Sequence, residues 1–231
     1  MNRRLAVFIA VVAAAGLGVL ALGLSRPTSD ELAALLALLA LGALAERYAV
    51  GLFSSDVSVG VVAVLVAAII GGFWGVALVA PAIVLIGQHG GESAWYKRCF
   101  NAAVYTLAGA AFASWFYVFN IGATPEEWPQ VLAPALLGAV ANFAVNSGLV
   151  AAAIALSARE SIVKRWQESY RWLIPQYLII GLTATALASA YYVIGLWGLA
   201  VFAAPVLGVR HAMQLGAAAT SQQDTELSRA A

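Results

Sequence analysis

The chain has 231 residues, 63% of them hydrophobic and only 10% charged, with a mean hydropathy of +0.89, where an ordinary soluble domain carries about 25% charged residues. Such a chain cannot cover its own apolar surface in water, which excludes a soluble globular domain. The formal net charge is +1 and no basic patch with interleaved aromatics lies outside the membrane-flanking loops, so nucleic acid is not an expected partner.

The start, MNRRLAVFIAVVAAAGLGVLALGL, has a basic leader like a secretory signal. Its apolar run of about 20 residues exceeds the roughly 7 to 15 of such a signal, so it reads as a retained first span. Hydropathy then sets spans at 5–24, 31–46, 58–70, 73–88, 101–120, 130–157, 172–193 and 196–209. Apolar runs of about 20 residues match a bilayer core. The fold class is therefore all-α, a polytopic integral membrane helical bundle of seven or eight transmembrane helices. The third and eighth runs are short for a core of about 30 Å, and tilt, local thinning of the bilayer or re-entry would each accommodate them. A transmembrane helical domain is expected over 1–210 and a disordered cytoplasmic tail over 211–231, since HAMQLGAAATSQQDTELSRAA holds few bulky apolar residues to bury.

With the N-terminus inside and all eight runs crossing, Arg3, Arg4, Arg47, Lys97, Arg98, Arg159, Lys164, Arg165, Arg171, Arg210 and Arg229 fall on one side and Arg26 alone on the other. That asymmetry follows the positive-inside rule. It puts both termini in the cytoplasm of a protein of the bacterial inner membrane.

The phrase GGFWGVALVAP at 71–81 returns as GLWGLAVFAAP at 195–205. Trp74 with Pro81, Trp128 with Pro134 and Trp197 with Pro205 each open a descending run, and Gly71, Gly72, Gly75, Gly195 and Gly198 permit tight reversals. A second echo relates SAWYKRCFNAAVY to ESIVKRWQESYRWLIPQY. Repeated helix hairpins are the expectation, set against the plainer reading that Trp, Gly and Pro are common at membrane corners.

Among polar residues, Asn142 and Asn146 stand at i and i+4 on one helix face; they serve either a ligand or ion, or hydrogen bonding between helices. Asn101 reads as a cap for the fifth helix or as a recognition residue. Gln176 and Tyr177 beside Pro175 either line a polar pocket or satisfy a loosened helix entry. Glu46 either binds a cation or pairs with Arg47 or Arg98. Asp56 reads as solvated or capping, and Glu126 and Glu127, adjacent in sequence, do not share a helix face. Ile162, Trp166 and Tyr170 form an apolar stripe opposite Arg159, Lys164, Arg165 and Glu168, as in a helix lying in the inner interface or docking a cytoplasmic partner. Lys97, Arg98, Lys164, Arg165 and Trp166 are thus the interface or partner candidates; Asn101, Asn142, Asn146, Gln176 and Tyr177 are the ligand candidates.

One cysteine, Cys99, and two histidines, His89 and His211, leave no metal or haem set, and no HExxH, GxSxG, Walker or Ser/His/Asp pattern is present. Neither an enzyme nor a cofactor is expected.

KRCFNAAVYTLAGAAFASWFY, NFAVNSGLVAAAIALS and YRWLIPQYLIIGLTATALASAYYVIGLWGLAVFAAPVLGVRH together resemble the N-terminal multi-helix membrane domains of bacterial signalling proteins ending in HD-GYP or GGDEF cyclic-di-GMP modules. The resemblance covers about residues 45–212 and rests on Arg98, Phe100 and Asn101, on Asn142 with Leu149 and Val150, and on Tyr192 before Gly195 and Gly198. It implies a membrane sensor or anchor. The 231 residues contain neither output module, so a signal would pass to a cytoplasmic partner. The expected function is a non-enzymatic sensory or interaction domain in contact with the lipid bilayer, with a homo-oligomer open. Two alternatives stand: a small-solute transporter or substrate-binding subunit, which the Ala10 and Ala14 spacing permits, and a structural subunit of a larger membrane complex.

Overall fold

The computed structural model describes residues 3–24, 31–47, 50–52, 55–57, 60–87 and 94–201. Apart from a short antiparallel hairpin, β1 (Val50–Leu52) with β2 (Ser55–Val57), these residues form helices and the turns between them. In chain order the helices are α1 (Arg3–Leu24), α2 (Leu32–Arg47), α3 (Gly60–Ile70), α4 (Gly72–Gly87), α5 (Trp95–Phe119), α6 (Leu132–Ala158), α7 (Ile162–Ser169), α8 (Ile174–Ile194) and α9 (Leu196–Ala200). Single 3-10 turns, Pro125–Glu127 and Arg171–Leu173, precede α6 and α8.

Among the described residues four helices are long and apolar enough to cross a membrane: α1, α5, α6, and α8 with its preceding turn. The helices α2, α3 and α4 have 16, 11 and 16 residues, about 24, 16 and 24 Å at 1.5 Å per residue. All three fall short of a core of about 30 Å. The expectation of seven or eight crossing helices is thus met only in class, by four long helices with shorter apolar ones packed among them. The eighth expected span is described only as far as α9 and Val201, and the expected tail, 211–231, lies outside the described residues.

Every residue of α3, GVVAVLVAAII, is buried, because α2, α4, α5 and α8 enclose it. A helix apolar on every side needs protein or lipid all round, and here protein supplies it. The first helix is the opposite case: Val7, Val11, Leu17 and Leu22 are all exposed, while Val12, Gly16 and Gly23 are buried. Between helices in lipid, close packing replaces the hydrophobic drive. Gly16 meets Ala103 on α5 and Gly181 meets Ala139 on α6 so closely that an added Cβ would lie 2.8 Å and 2.6 Å from the neighbouring Cβ.

Contacts between helix ends establish the bundle's polarity. Phe8 lies against Phe100, ring centroids 6.1 Å apart, Gly87 abuts Glu46, and Arg3 and Arg4 share a cavity with Arg159. The starts of α1 and α5 and the ends of α2, α4 and α6 therefore gather at one end, which carries Arg3, Arg4, Lys97, Arg98 and Arg159. Arg165 pairs with Glu160 just past α6 and so brings α7 to the same end. At the opposite end Trp128 Nε1 donates to Ser189 Oγ at 2.9 Å, joining the α5–α6 loop to α8.

The repeated phrase has a local structural counterpart. Gly72 and Gly195 take positive φ, 53° and 62°, a backbone region closed to most side chains. Three positions on, Gly75 and Gly198 press against the helix just completed: an added Cβ would fall 2.0 Å from the oxygen of Ala67 and 2.5 Å from the carbonyl carbon of Ala190. The likeness ends at these corners. The helix before the first has 11 residues, all buried, while that before the second has 21 with Ile179, Val193 and Ile194 exposed. In the second echo, Lys97 and Arg98 belong to α5 itself, whereas Lys164 and Arg165 belong to the separate α7. Nor do the tryptophans behave alike, for Trp197 is 80% exposed but Trp74 is half-buried with its Nε1 lacking a hydrogen-bond partner.

Candidate functional site

The polar groups that matter lie along α6, where it faces α5 and the start of α8, below the turn that carries α7. Asn146 Nδ2 donates to the Tyr177 hydroxyl at 2.5 Å, linking α6 to the start of α8. One turn earlier on the same face, Asn142 is 3% exposed and its Oδ1 has no hydrogen-bond partner. Both asparagines, with Tyr105, Val61, Val64 and Ala108, line a small cavity of about 10 Å³. That is the space of about one water molecule, the group able to satisfy a lone buried carbonyl. Tyr105, also on α5, donates from its hydroxyl to Glu46 Oε2 at 3.1 Å, which gives the buried carboxylate at the end of α2 a partner in the bundle.

A second group of contacts holds α7. The chain reverses at Arg159, which takes φ 59° as the cap of α6. Ser161 caps α7, accepting from the Lys164 backbone N–H at 3.4 Å. The short helix then runs back along α6. Trp166 Nε1 donates to Ser147 Oγ at 2.8 Å, and Ser147 in turn donates to the Phe143 carbonyl at 2.6 Å. The Phe143 ring sits between Trp166 and Tyr177, with centroids 5.8 Å and 5.1 Å away, spacings at which tilted aromatic pairs attract. The apolar stripe read from the sequence is therefore shifted: Trp166 and Tyr170 turn inward with buried Ser169, while Ile162 is 44% exposed.

Beside this aromatic group opens an apolar cleft of about 230 Å³ between α6, α7 and α8. Its walls include Val140, Phe143, Trp166, Ile174 and Tyr177. Elsewhere in the bundle the buried hydroxyls of Thr106 on α5 and Thr185 on α8 bond back within their own helices, to the carbonyls of Ala102 and Gly181, each at 2.8 Å.

The structure thus brings together Asn142, Asn146 and Tyr177 of the ligand candidates. Gln176, next to Tyr177 and half-buried, has its Oε1 without a hydrogen-bond partner and lines neither cavity. Asn101 is not a cap, because α5 begins at Trp95 and Asn101 lies six residues inside it, four before Tyr105. Of the interface candidates, Lys97 is exposed and Arg98 half-buried in the first turn of α5. Lys164 reaches Glu168 Oε1 only at 4.0 Å between largely exposed side chains, a pair worth little. Arg165 binds Glu160 through Nε at 2.6 Å. Trp166 faces the protein. Tyr105, Phe143 and Ser147 were not singled out as site residues by the sequence. The i, i+4 spacing of Asn101 with Tyr105 and of Phe143 with Ser147 was the available signal. Among the described residues no group of three His, Cys, Asp or Glu side chains converges on a metal site.

No family model, curated protein or solved structure matches the chain.

Proposed function

We propose that the chain is an integral membrane sensory or interaction domain of a bacterial inner membrane, without enzymatic activity of its own. In this reading an apolar ligand or lipid chain enters the cleft between α6, α7 and α8, alters how α7 sits on α6, and a cytoplasmic signalling partner reads the change. One observation carries it. Trp166 and Tyr177 line the apolar cleft and also form the hydrogen bonds to Ser147 and Asn146 that hold α7 and α8 on α6.

An occupant touching both rings is coupled to both hydrogen bonds. It shifts the position of α7 only to the extent that it binds one packing better than the other. The basic end of the bundle is the cytoplasmic one, by the positive-inside rule, which sets α7 and the start of α1 on the side of a partner. The short helix α3 lies enclosed by its neighbours and screened from lipid, while α2 and α4 still turn Leu36, Leu85 and Ile86 outward to meet it. The resemblance to the membrane domains of cyclic-di-GMP signalling proteins agrees with such a role. Solute transport has less support, because the interior cavity at Asn142 has room for one water and not for a solute.

A brominated fatty acid, which quenches tryptophan emission on contact, tests the reading. Saturable quenching that falls in Trp166→Phe and in Val140→Phe, which narrows the cleft, supports it. Quenching unchanged by both substitutions overturns the cleft as the sensing site. Asn142→Leu with Asn146→Leu is then scored for binding of a copurifying cytoplasmic protein, and an unaltered response overturns the coupling.

A further inference from the structure

We propose that the cleft between the first turn of α1 and the end of α6 binds the phosphate of an anionic phospholipid. This rests on the chain's being embedded in a membrane, and is independent of the apolar cleft beneath α7. A cavity of about 530 Å³ lies there, lined by Arg3, Arg4, Ala155, Leu156, Arg159 and Glu160. Its volume is within the roughly 300–1,000 Å³ of small-ligand sites.

Three guanidinium groups border it, and among the described residues none of them has a hydrogen-bond or ion-pair partner. The carboxylate in the lining is already taken: Glu160 Oε1 accepts from Arg165 Nε at 2.6 Å. The cleft is thus left with three positive charges from α1 and α6, and its own acid is neutralised by a residue outside it. Arginine is suited to such a site because its planar fork meets two oxygens of a phosphate at once.

The position selects the source of that phosphate. Arg3 and Arg4 begin, and Arg159 caps, two of the helices long and apolar enough to cross a membrane, so the cleft stands at the level of the headgroups. Its apolar floor, Ala155 and Leu156, continues onto the side of the bundle where Val7 and Ile154 are exposed. Acyl chains would lie along those residues while the phosphate is held above them. Basic pockets between membrane helices on the cytoplasmic side take anionic headgroups in this manner.

The test uses the purified full chain in bilayer nanodiscs of phosphatidylglycerol and phosphatidylcholine in equal amounts, with retained lipid read by native mass spectrometry. The wild type is expected to retain phosphatidylglycerol. Arg159→Gln should lose about fivefold, and the triple variant Arg3→Gln, Arg4→Gln, Arg159→Gln about a hundredfold. Arg171→Gln, which removes a charge at the same end but outside the cleft, should change retention by less than about twofold. Circular dichroism and size-exclusion profiles matching wild type establish that the variants are folded.

Retention by the triple variant equal to wild type overturns the site. So does a loss in Arg171→Gln as large as in Arg159→Gln, which would make the effect plain surface attraction. Displacement of the lipid by excess inorganic phosphate overturns the lipid as ligand in favour of a soluble anion. Failure of the wild type to insert into phosphatidylcholine vesicles overturns the membrane reading and this site with it, whereas insertion without headgroup preference overturns the site alone.

Discussion

The amide of Asn146 and the hydroxyl of Tyr177, 31 positions apart in the chain, are hydrogen-bonded at 2.5 Å and join α6 to α8 at the level where α7 packs. Tyr177→Phe removes the acceptor and keeps the ring against Phe143, so it isolates the hydrogen bond from the packing. A loss of about 0.5–1.5 kcal/mol is expected, the range for such bonds within membrane bundles. Asn146→Leu should cost a similar amount, and the double variant little more than either alone, because both remove one interaction. A double-mutant cycle followed by SDS titration in mixed micelles measures the coupling.

The two glycines that close the helix corners should respond differently from a glycine in open space. Gly75→Ala and Gly198→Ala drive a methyl group into the backbone of Ala67 and Ala190, and each is expected to lower stability by about 1–3 kcal/mol or more. Gly72→Ala meets no neighbour within 4 Å but must hold φ at 53°, a strain of about 1–2 kcal/mol. Gly18→Ala, inside α1 and likewise without a neighbour within 4 Å, should be neutral or stabilising by up to about 1 kcal/mol. Melting temperatures of the four variants order these effects.

Acid should loosen the turn between α5 and α6. Glu127 accepts from the backbone N–H of Gly122 at 2.9 Å, from that of Thr124 at 3.0 Å and from the Thr124 hydroxyl at 2.9 Å. The Gly122 bond foremost, with those from Thr124, holds its carboxyl below the ordinary carboxylate value of 4.5, partly opposed by burial. A carboxyl depressed in the folded state stabilises fully above the unfolded value and loses that contribution as pH falls through the folded one. The wild type should therefore lose stability on acidification below about pH 4.5, the ordinary value above. Glu127→Gln should be less stable at neutral pH and show a flatter acid limb. A pH series of thermal unfolding curves reads both.

Sidedness is open to direct labelling. Cys99 is exposed at the basic end of the bundle, and Glu126 is exposed in the loop at the other. With the basic end cytoplasmic, a membrane-impermeant maleimide added to intact spheroplasts should leave Cys99 unlabelled and label Glu126→Cys in a Cys99→Ser background. The reverse pattern would invert the orientation, and labelling of both would place them on one face.

Much of this was readable from the sequence because it depends on composition and on chain-local order. An apolar content of 63% requires a bilayer or a fully enclosed interior, and the long runs at 5–24, 101–120, 130–157 and 172–193 correspond to α1, α5, α6 and α8. Lys97, Arg98, Lys164 and Arg165 announced a common basic end, and Asn142 with Asn146 announced one polar helix face. The turn glycines were legible too, since a reversal between helices is a local demand that G-x-W-G meets twice.

What the tertiary structure alone decided is which apolar surface meets protein and which is left outward. The runs LAVFIAVVAAAG and GVVAVLVAAII are alike in hydropathy, yet α1 leaves Val7, Val11, Leu17 and Leu22 exposed while α3 is enclosed on every side. Hydropathy measures the preference for leaving water, which lipid and protein satisfy equally, so it carries no information on the choice. That choice depends on shape, on glycines such as Gly16 and Gly181 that admit a neighbouring backbone, and on distant partners such as Trp166 for Ser147 and Tyr105 for Glu46. Those pairings exist only once the helices have been set side by side.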